Sequence, residues 1–486
     1  MVKAHLEKLK ILFQEPFVPR VVTFGKFAKG AGNNTFPYGI ACIASYLKER
    51  GYNVSYIDPN IENMSYNKYV KYIKSNKFDV ISMGSTTLQI DYVIDTFKII
   101  KKNIPGIITV LGGVHATLMP TETINDTDVV DYLILGEGEK PFYQLMEYIN
   151  QNKKNLIKNI KGVCFKQNGK LILNPYSSSN RLSNREIPIP LFEIFPIEKY
   201  IPQITYAKTF PSYSIVASRG CVYKCAFCNA GDILGRRVRY KPVDALLHEI
   251  RILKDKYRAK GIFFLDSTFT VNRKWLREFC NEYIRSDLNL PWACNSRTDT
   301  IDSELLLSMK DAGCWSILFG IESANQKSLD LINKRTTVEQ NTYAIQLCLD
   351  LGYYVYTSYI ICLPGETKED TLNTINYAKR MGNHLAIFYL PVPYPKTRLW
   401  EICKEMGVLR EHARWSDFNS WDFSNPVYIN PFIGKENMQK LLKQAYLSFY
   451  SNPVVWYRNL KELFFLKQSP FRYWLGAKGF LSFLLK

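Results

Sequence analysis

Three cysteines within eight residues are the part of this 486-residue sequence best suited to chemistry. The stretch SRGCVYKCAFC places Cys221, Cys225 and Cys228 at a CxxxCxxC spacing, directly after a predicted strand. A [4Fe–4S] cluster usually takes four thiolates, so three thiolates at this spacing can ligate three irons and leave the fourth open. Gly220 permits the unusual backbone angles that a loop around such a cluster needs. The motif therefore predicts an iron–sulfur site.

Two simpler interpretations of the cysteines stay open at this point. Positions i, i+4 and i+7 share one face of a helix, so the three thiols would also fit a buried apolar stripe. A structural zinc site is the second alternative, with His248 or Cys280 as the fourth ligand. The position at a strand end, behind Arg-Gly, favours the cluster.

The elements that must position this motif lie in residues 206–420. Six candidate strands, with helical segments between most of them, predict a partial (β/α)6 barrel. Because barrel active sites lie at the carboxyl ends of the strands, one mouth is expected to gather the polar residues found there. An ordinary salt bridge or helix cap is the simpler role for each of them. These residues are Asp266, Arg297, Glu322 and Ser323.

Residues 1–150 alternate five apolar strands with helices, which predicts an α/β domain with a doubly wound parallel sheet of the flavodoxin or Rossmann type. Several strands run into glycines, and ligands of such sheets bind beyond the carboxyl ends of the strands. Residues 151–205 read as a linker with a small hairpin that turns at Asn168-Gly169. Residues 421–486 are predicted to form a helical C-terminal region.

Composition limits the partners and the compartment. The chain has 63 Lys and Arg against 44 Asp and Glu, a net charge of +19, which suits anionic partners. No nucleic-acid-binding motif accompanies that charge, so nucleic acid is not expected as a partner. Eleven cysteines without an export signal indicate a reduced, cytoplasmic protein. No uncharged apolar run reaches the roughly 18 residues that span a bilayer.

Several motifs of the sequence resemble those of a known enzyme family. CVYKCAFC, with Phe227 before the third cysteine, resembles the signature of radical S-adenosylmethionine (SAM) enzymes. FLDSTFT, NSRTD, FGIES and LPGET lie where that family has comparable barrel segments. FPYGIA, MGSTT, GGVHAT and LGEGE resemble the cobalamin-binding domain that precedes the barrel in one subgroup, the class B methyltransferases.

The resemblance implies three cofactors: a [4Fe–4S] cluster, SAM and cobalamin. Cys221, Cys225 and Cys228 would hold the cluster and Phe227 would lie beside it. Glu322 and Ser323 are candidates for the amino and ribose groups of SAM. Arg297 would pair with its carboxylate, and Asp266 is a further candidate contact. The candidate cobalamin contacts are Tyr38, Gly39, Ser85, Thr86, Gly112, Gly113, His115, Gly136, Glu137 and Gly138.

Two departures from the family pattern bear on these roles. The Asp-x-His-x-x-Gly motif, whose histidine ligates cobalt in many cobalamin proteins, is absent. His115 is therefore read as a cofactor contact or an ordinary loop histidine, not as an axial ligand. Lys396 stands where many relatives have glycine, and it would favour an anionic substrate if it lined the entrance; the alternative is that it points to solvent.

The resemblance implies radical cleavage of SAM and methyl transfer from cobalamin to an unactivated carbon of a small-molecule or lipid-like substrate. It also implies an electron donor such as flavodoxin or ferredoxin. A cobalamin-dependent radical SAM cyclase or rearrangement enzyme is the alternative, and a non-catalytic cobalamin- or redox-sensing protein is the alternative of another class. Methylthiolation is excluded, because it requires three further cysteines near the N-terminus and only Cys42 and Cys164 precede the motif.

The last 34 residues, 453–486, combine nine aromatic residues with six basic ones and a single acid. Basic amphipathic segments of this kind can lie in a membrane interface. We expect the segment to pack on the barrel instead, because compact proteins cover large apolar faces. Contact with the membrane surface, which would make the cytoplasmic protein peripheral, is the alternative.

Overall fold

The computed structural model describes residues 8–19, 35–200, 207–420 and 424–465. These residues divide into two compact units. The first contains residues 8–19 and 37–199, and the second contains the remaining described residues. Each unit is built around one sheet.

The sheet of the first unit has seven strands in the order β2-β1-β3-β4-β5-β6-β7. The first five pair in parallel, and the order 2-1-3-4-5 is that of flavodoxin-like doubly wound sheets. The predicted α/β architecture is therefore confirmed. The last two strands form an antiparallel hairpin around Asn168-Gly169 that extends the sheet. The strands are β1 (Lys10–Gln14), β2 (Asn53–Ile57), β3 (Val80–Gly84), β4 (Ile108–Gly112), β5 (Tyr132–Ile134), β6 (Val163–Gln167) and β7 (Lys170–Leu173).

Helices cover this sheet with one apolar face each. In the helix Ile90–Asn103, the residues Val93, Phe97 and Ile100 recur at helical spacing and are fully buried. Lys101 and Lys102 lie in its last turn, where positive charge stabilises the helix dipole. The helices are α1 (Tyr38–Lys48), α2 (Tyr66–Asn76), α3 (Ile90–Asn103), α4 (Gly113–Leu118), α5 (Pro120–Asn125) and α6 (Glu139–Asn150).

The second unit contains six parallel strands in the order β15-β14-β13-β12-β11-β8, which confirms the partial (β/α)6 barrel. A separate two-stranded ribbon, β9 with β10, lies between the first barrel strand and the first long barrel helix in the chain. The strands are β8 (Ser212–Ile215), β9 (Ser218–Arg219), β10 (Arg239–Tyr240), β11 (Gly261–Phe264), β12 (Trp292–Ser296), β13 (Cys314–Glu322), β14 (Tyr354–Ile360) and β15 (Leu385–Tyr389).

Alternation along these strands separates a concave inner face from the helix-covered outer face. Leu318 of β13 and Ile387 of β15 are half-buried, whereas Ile317 and Phe319 on either side of Leu318 are fully buried. Successive side chains of a strand point to opposite faces, so the half-buried set lines the inside of the barrel. That lining combines apolar residues with the polar side chains of Asn295 on β12 and Ser358 on β14.

Ten α-helices accompany the barrel within the described residues. The predicted helical C-terminal region is present as α15 and α16, and residues 466–486 of the predicted tail lie outside the described residues. The helices are α7 (Ala230–Leu234), α8 (Val243–Tyr257), α9 (Arg273–Arg285), α10 (Ser303–Asp311), α11 (Gln326–Leu331), α12 (Val338–Asp350), α13 (Lys368–Met381), α14 (Arg398–Glu405), α15 (Lys435–Tyr450) and α16 (Pro453–Phe465).

The C-terminal helices cover the free edge of β15 with side-chain hydrogen bonds. Tyr446 donates its hydroxyl to the Phe388 carbonyl at 3.0 Å and accepts the Phe388 N–H at 3.3 Å. Tyr450, one helical turn later, donates to the Ala386 carbonyl at 2.9 Å. One turn of α15 therefore rises about as far as two residues of β15. The two tyrosine hydroxyls thus make hydrogen bonds to the edge of β15 that a seventh strand would otherwise make.

The described part of the tail packs on the barrel. Asn459 of α16 donates to the His384 carbonyl at 2.8 Å and accepts a hydrogen bond from the Tyr354 hydroxyl at 3.2 Å. On the opposite side, Trp456 and Tyr457 are 59% and 68% exposed. No helix of the described residues is long and apolar enough to be a candidate membrane span.

Candidate iron–sulfur and cobalamin sites

The three motif cysteines lie on an irregular loop after β9, not on a helix, so the apolar-stripe interpretation is wrong. Each side chain is half-buried and none forms a disulfide. Gly220 opens the loop at φ 118°, and a Cβ there would lie 2.6 Å from the Arg237 carbonyl oxygen. Only glycine fits this entry to the loop.

A second segment, residues 332–334, runs alongside the cysteine loop. The Ala226 N–H donates to the Ile332 carbonyl at 2.7 Å, and the Asn333 side-chain amide donates to the Lys224 carbonyl at 2.8 Å. The ring of Phe227 packs against the apolar cluster that contains Ala226 and Ile332. These contacts fix the position of the loop on both sides of Cys225, the second cysteine of the motif.

Arg297 connects the cysteine loop to this segment. Its guanidinium makes two hydrogen bonds to the Asp299 carboxylate, at 2.9 and 3.1 Å, and a third at 2.5 Å to the Lys334 carbonyl. Its remaining terminal nitrogen, Nη1, lies 3.7 Å from Cys225 Sγ, and the group stacks 3.7 Å above the Tyr223 ring. Arg297 thus contacts the cysteine loop at Cys225. The two guanidinium nitrogens that could pair with a carboxylate are already bonded to Asp299.

Glu322 ends β13 with φ 67°, in the left-handed region, where the register with β14 shifts. Its Oε1 accepts a hydrogen bond from Lys334 Nζ at 2.8 Å, and both side chains are less than 10% exposed. A side chain at Gly320 would collide with this pair, since a Cβ there would lie 2.3 Å from Glu322 Oε1. The ammonium of Lys334 is also 5.9 Å from the Phe227 ring centre, which places this ion pair beside the cysteine loop.

Asp266 and Ser323 have buried side chains whose hydrogen bonds hold neighbouring segments of the chain in place. The Asp266 carboxylate accepts the Ala217 N–H at 3.0 Å and the Ser218 hydroxyl, which tethers the residues leading into the cysteine loop. Burial raises the pKa of Asp266 to about 6. The Ser323 hydroxyl instead joins a buried network with Glu366 at 3.2 Å and Thr374 at 3.3 Å.

The half-buried, irregular cysteine loop suits a cubane cluster better than a structural zinc site. Among the described residues, no three His, Cys, Asp or Glu side chains converge on one metal position. His248 is exposed on α8, and Cys280 is fully buried beside Cys294. A cubane needs no such convergence, because each thiolate binds its own iron. Burial raises the pKa of Cys225, whereas the charges of Lys334 and Arg297 lower it and so favour a thiolate ligand.

In the first unit, the strand-end residues form a connected rim. The Ser85 N–H donates to the Gly112 carbonyl at 3.1 Å, and the His115 N–H donates to the Ser85 carbonyl at 3.1 Å. Gly113 has φ 92°, and a Cβ there would lie 2.6 Å from the Ser85 nitrogen. The Gly136 N–H is bonded to Thr117 Oγ1 at 2.9 Å. The predicted residues of three strand ends are therefore brought together.

The rim leaves open space for a ligand at two glycines. Among the described residues, no atom outside the adjacent chain lies within 4 Å of the Cβ position of Gly39, at the start of α1, or of Gly84, at the end of β3. Tyr38 is buried and Thr86 is exposed beside them. Gly138 is closed by Ile43, 2.6 Å from its Cβ position, and Glu137 is buried with a 3.4 Å hydrogen bond from the Leu182 N–H. The rim fits a large ligand better around α1 and β3 than around β5.

His115 is fully buried, and its Nδ1 lies 3.2 Å from the Thr87 hydroxyl. Burial lowers the pKa of His115 to about 4, so the imidazole is neutral at physiological pH. Its contacts support the loops after β3 and β4. This placement agrees with the absence of a sequence motif for an axial histidine.

Comparison with known proteins identifies both halves. The radical SAM superfamily matches residues 215–378, and the B12 binding domain matches residues 28–146. An uncharacterized methyltransferase of Pyrococcus horikoshii is 32% identical over 426 residues, which cover 88% of this chain and 90% of that protein. The chain belongs to the cobalamin-binding radical SAM enzymes.

Two further relatives of this radical SAM enzyme differ in what they are named for. An anaerobic magnesium-protoporphyrin IX monomethyl ester cyclase of Rubrivivax gelatinosus is 28% identical over 86% of this chain and 74% of its own. The radical SAM methyltransferase TsrM of Kitasatospora setae, solved with cobalamin and a [4Fe–4S] cluster bound, shares the fold. Its TM-score is 0.71 at 14% identity, with 91% of this chain and 89% of that chain covered. The cofactors of the enzyme are accordingly a [4Fe–4S] cluster, SAM and cobalamin, and the zinc alternative is wrong.

Sequence reasoning missed three residues that this radical SAM enzyme places at its cysteine loop: Tyr223, Asp299 and Lys334. Asp299 follows Arg297 by two residues, and an Arg-x-Asp pair at a strand end is a signal that could have found it. Lys334 follows a short helix with no recognisable pattern. Its partnership with Glu322 comes only from the three-dimensional fold. Lys396, by contrast, is exposed at φ 62°, which explains why relatives can have glycine there.

Proposed function

We propose that the enzyme transfers a methyl group to an unactivated carbon of a small-molecule substrate. One observation carries the proposal. The six-stranded barrel begins with a half-buried loop that carries three thiols and has two cationic side chains beside it. The same chain also contains a parallel sheet with space for a ligand at its strand ends. The similarity to a protein named as a methyltransferase over nearly its whole length supports the reaction type.

The chain's own residues have separable roles in this proposal. Cys221, Cys225 and Cys228 hold the cluster, and Arg297 orients the second of them. When bound, the reduced cluster supplies the electron that cleaves SAM, and cobalamin supplies the methyl group. Glu322 offers its second carboxylate oxygen to the amino group of SAM, since within the described residues only its Oε1 is bonded.

The remaining predicted residues divide into supports and contacts. Asp266 and Ser323 hold neighbouring segments in place near the barrel mouth, because their side chains are hydrogen-bonded to those of Ser218 and Glu366. For cobalamin, we assign direct contact to Gly39, Ser85 and Thr86, which border the open space near α1 and β3. The supports of that rim are Tyr38, Gly112, Gly113, His115, Gly136, Glu137 and Gly138.

A cyclase is the second candidate, because the Rubrivivax relative is named for that reaction. The two reactions differ in their co-products. Incubation of the loaded, reduced enzyme with SAM that carries a trideuterated methyl group tests this directly. Methyl transfer yields S-adenosylhomocysteine and moves the label off SAM, whereas a cyclase that uses SAM only as a radical source yields no S-adenosylhomocysteine.

We also infer a reducing compartment, the cytoplasm, and a low-potential electron donor. None of the eleven cysteines forms a disulfide, which supports the compartment. The apolar residues of the barrel lining, among them Leu318 and Ile387, suit a substrate with a hydrophobic or lipid-like part. Contact of segment 453–486 with a membrane surface stays a proposal; the exposed Trp456 and Tyr457 of α16 are its support.

A further inference from the structure

The outer side of the cysteine loop is exposed to solvent. Val222, between the first two ligands, is 46% exposed, and Lys224, two residues later, is also exposed. Arg297 and the Glu322–Lys334 pair lie on the buried side of the same loop. A molecule that touches both Val222 and Lys224 therefore comes within one residue of Cys221 and of Cys225 without entering the barrel.

Three further segments hold this loop by hydrogen bonds, and each adds a positive charge. The Cys221 N–H donates to the Gly235 carbonyl at 2.9 Å, two residues before Arg237. Arg335 follows the segment that holds Lys224, and its Nε donates to Asn333 Oδ1 at 3.1 Å. Asn229 donates to the Pro395 carbonyl at 3.0 Å, directly before Lys396. We call the four exposed cations around the loop the basic collar: Lys224, Arg237, Arg335 and Lys396.

The charges of the basic collar are not compensated within the described residues, where none of the four forms an ion pair. Neighbouring cations are paired: Arg236 binds Asp232 at 2.7 Å, and Arg398 binds Glu405 at 2.8 Å. Arg335 and Lys396 also have left-handed backbone, with φ 57° and 62°. Long cationic side chains at positions that favour glycine point to a function for the charge.

Four exposed positive charges, carried by the cysteine loop and by segments bonded to it, fit an acidic protein better than a small substrate. Complementary charge steers two proteins together and sets their orientation, and the exposed Val222 supplies an apolar contact. We propose that the basic collar and Val222 form the docking surface for an acidic, low-potential one-electron carrier protein. The carrier is oxidised by one electron and the cluster is reduced by one electron, with no bond made or broken.

This inference rests on the proposed radical function and is tested by reduction kinetics of the loaded holoenzyme. The probe is fully reduced flavodoxin, mixed anaerobically with enzyme that carries the Arg237→Glu and Lys396→Glu substitutions. We expect its second-order rate constant to fall about tenfold or more at low salt, with the difference from wild type vanishing at high salt. The reduction rate with dithionite should be unchanged.

Matched variants keep the outcome interpretable. Lys435→Glu with Lys440→Glu, at two exposed lysines of α15, changes the net charge equally and should leave the flavodoxin rate close to that of wild type. The double variant Arg237→Ala, Lys396→Ala should show a smaller loss of the flavodoxin rate constant. It replaces the charge-reversal variant if charge reversal impairs loading of the cluster. Wild-type rates with flavodoxin in both pairs, or an equal loss with dithionite, would overturn the docking surface. Failure of the radical function appears separately, as dithionite-reduced wild type that cleaves no SAM.

Discussion

Arg297 Nη1 lies 3.7 Å from Cys225 Sγ, and the same guanidinium is fixed by two hydrogen bonds to Asp299. A buried arginine that faces a cluster ligand does two things. Its N–H group orients the sulfur, and its positive charge stabilises the more negative, reduced form of the cluster. We therefore propose that Arg297, which the family resemblance assigned to the SAM carboxylate, is a positioning residue of the iron–sulfur site.

Replacement of Arg297 by glutamine should make the cluster harder to reduce. The midpoint potential is expected to shift to lower values, because the positive charge next to Cys225 is lost. A potentiometric titration followed by electron paramagnetic resonance, without SAM, measures this. Arg297→Lys should give a smaller shift. Arg277→Gln, at an exposed ion pair with Glu304, should give none, and an unshifted Arg297→Gln would refute the assigned role.

Asp266 predicts a pH-dependent contribution to stability. Burial raises its pKa to about 6 in the folded chain, above the ordinary 3.8. Its favourable contribution is therefore complete below about pH 4 and is lost as the pH rises through 6. Asp266→Asn should remove this pH dependence. It should also cost roughly 1–3 kcal/mol, because one amide face opposes the Ala217 N–H. Thermal unfolding between pH 4 and 8 measures both effects.

Two glycines separate support of the fold from contact with cobalamin. Gly113→Ala should destabilise the first unit by about 2 kcal/mol or more, since its Cβ meets Ser85 backbone and its φ is 92°. Gly39→Ala has free space and lies in a helix, so the fold should be unchanged or slightly more stable. Hydroxocobalamin titration should nevertheless show weaker binding by Gly39→Ala. Equal affinity with wild type would place the ligand elsewhere.

The sequence predicted those features that repeat locally. Strand and helix periodicity predicted both sheets, and the spacing of Cys221, Cys225 and Cys228 predicted the cluster loop. Contacts between distant segments could not be predicted from one sequence. Ser323 was expected at the open mouth, but its hydroxyl bonds Glu366, which lies 43 residues later. The aromatic residues of segment 453–486 suggested contact with a membrane surface. The hydrogen bonds that Tyr446 and Tyr450 make to carbonyl groups of β15, by contrast, are visible only in the fold.

The edge of β15 provides a test of the C-terminal packing. Tyr446→Phe removes the partner of both the N–H and the carbonyl of Phe388, so we expect a loss of about 1–3 kcal/mol of unfolding free energy. Tyr457→Phe, at a residue that is 68% exposed, should change it by less than about 0.5 kcal/mol. Denaturant unfolding compares the two. Similar values would mean that α15 does not stabilise the barrel edge.

The central claim is that the three-thiol loop carries a cluster that cleaves SAM. The most direct measurement is mass spectrometry of the products after anaerobic reconstitution with iron, sulfide and hydroxocobalamin, and reduction with dithionite in the presence of SAM. Wild type and Cys280→Ala, a buried thiol away from the loop, should form 5′-deoxyadenosine, and Cys225→Ala should form none. A fully loaded, reducible wild-type cluster that forms no 5′-deoxyadenosine would contradict the claim and favour a binding or sensing protein.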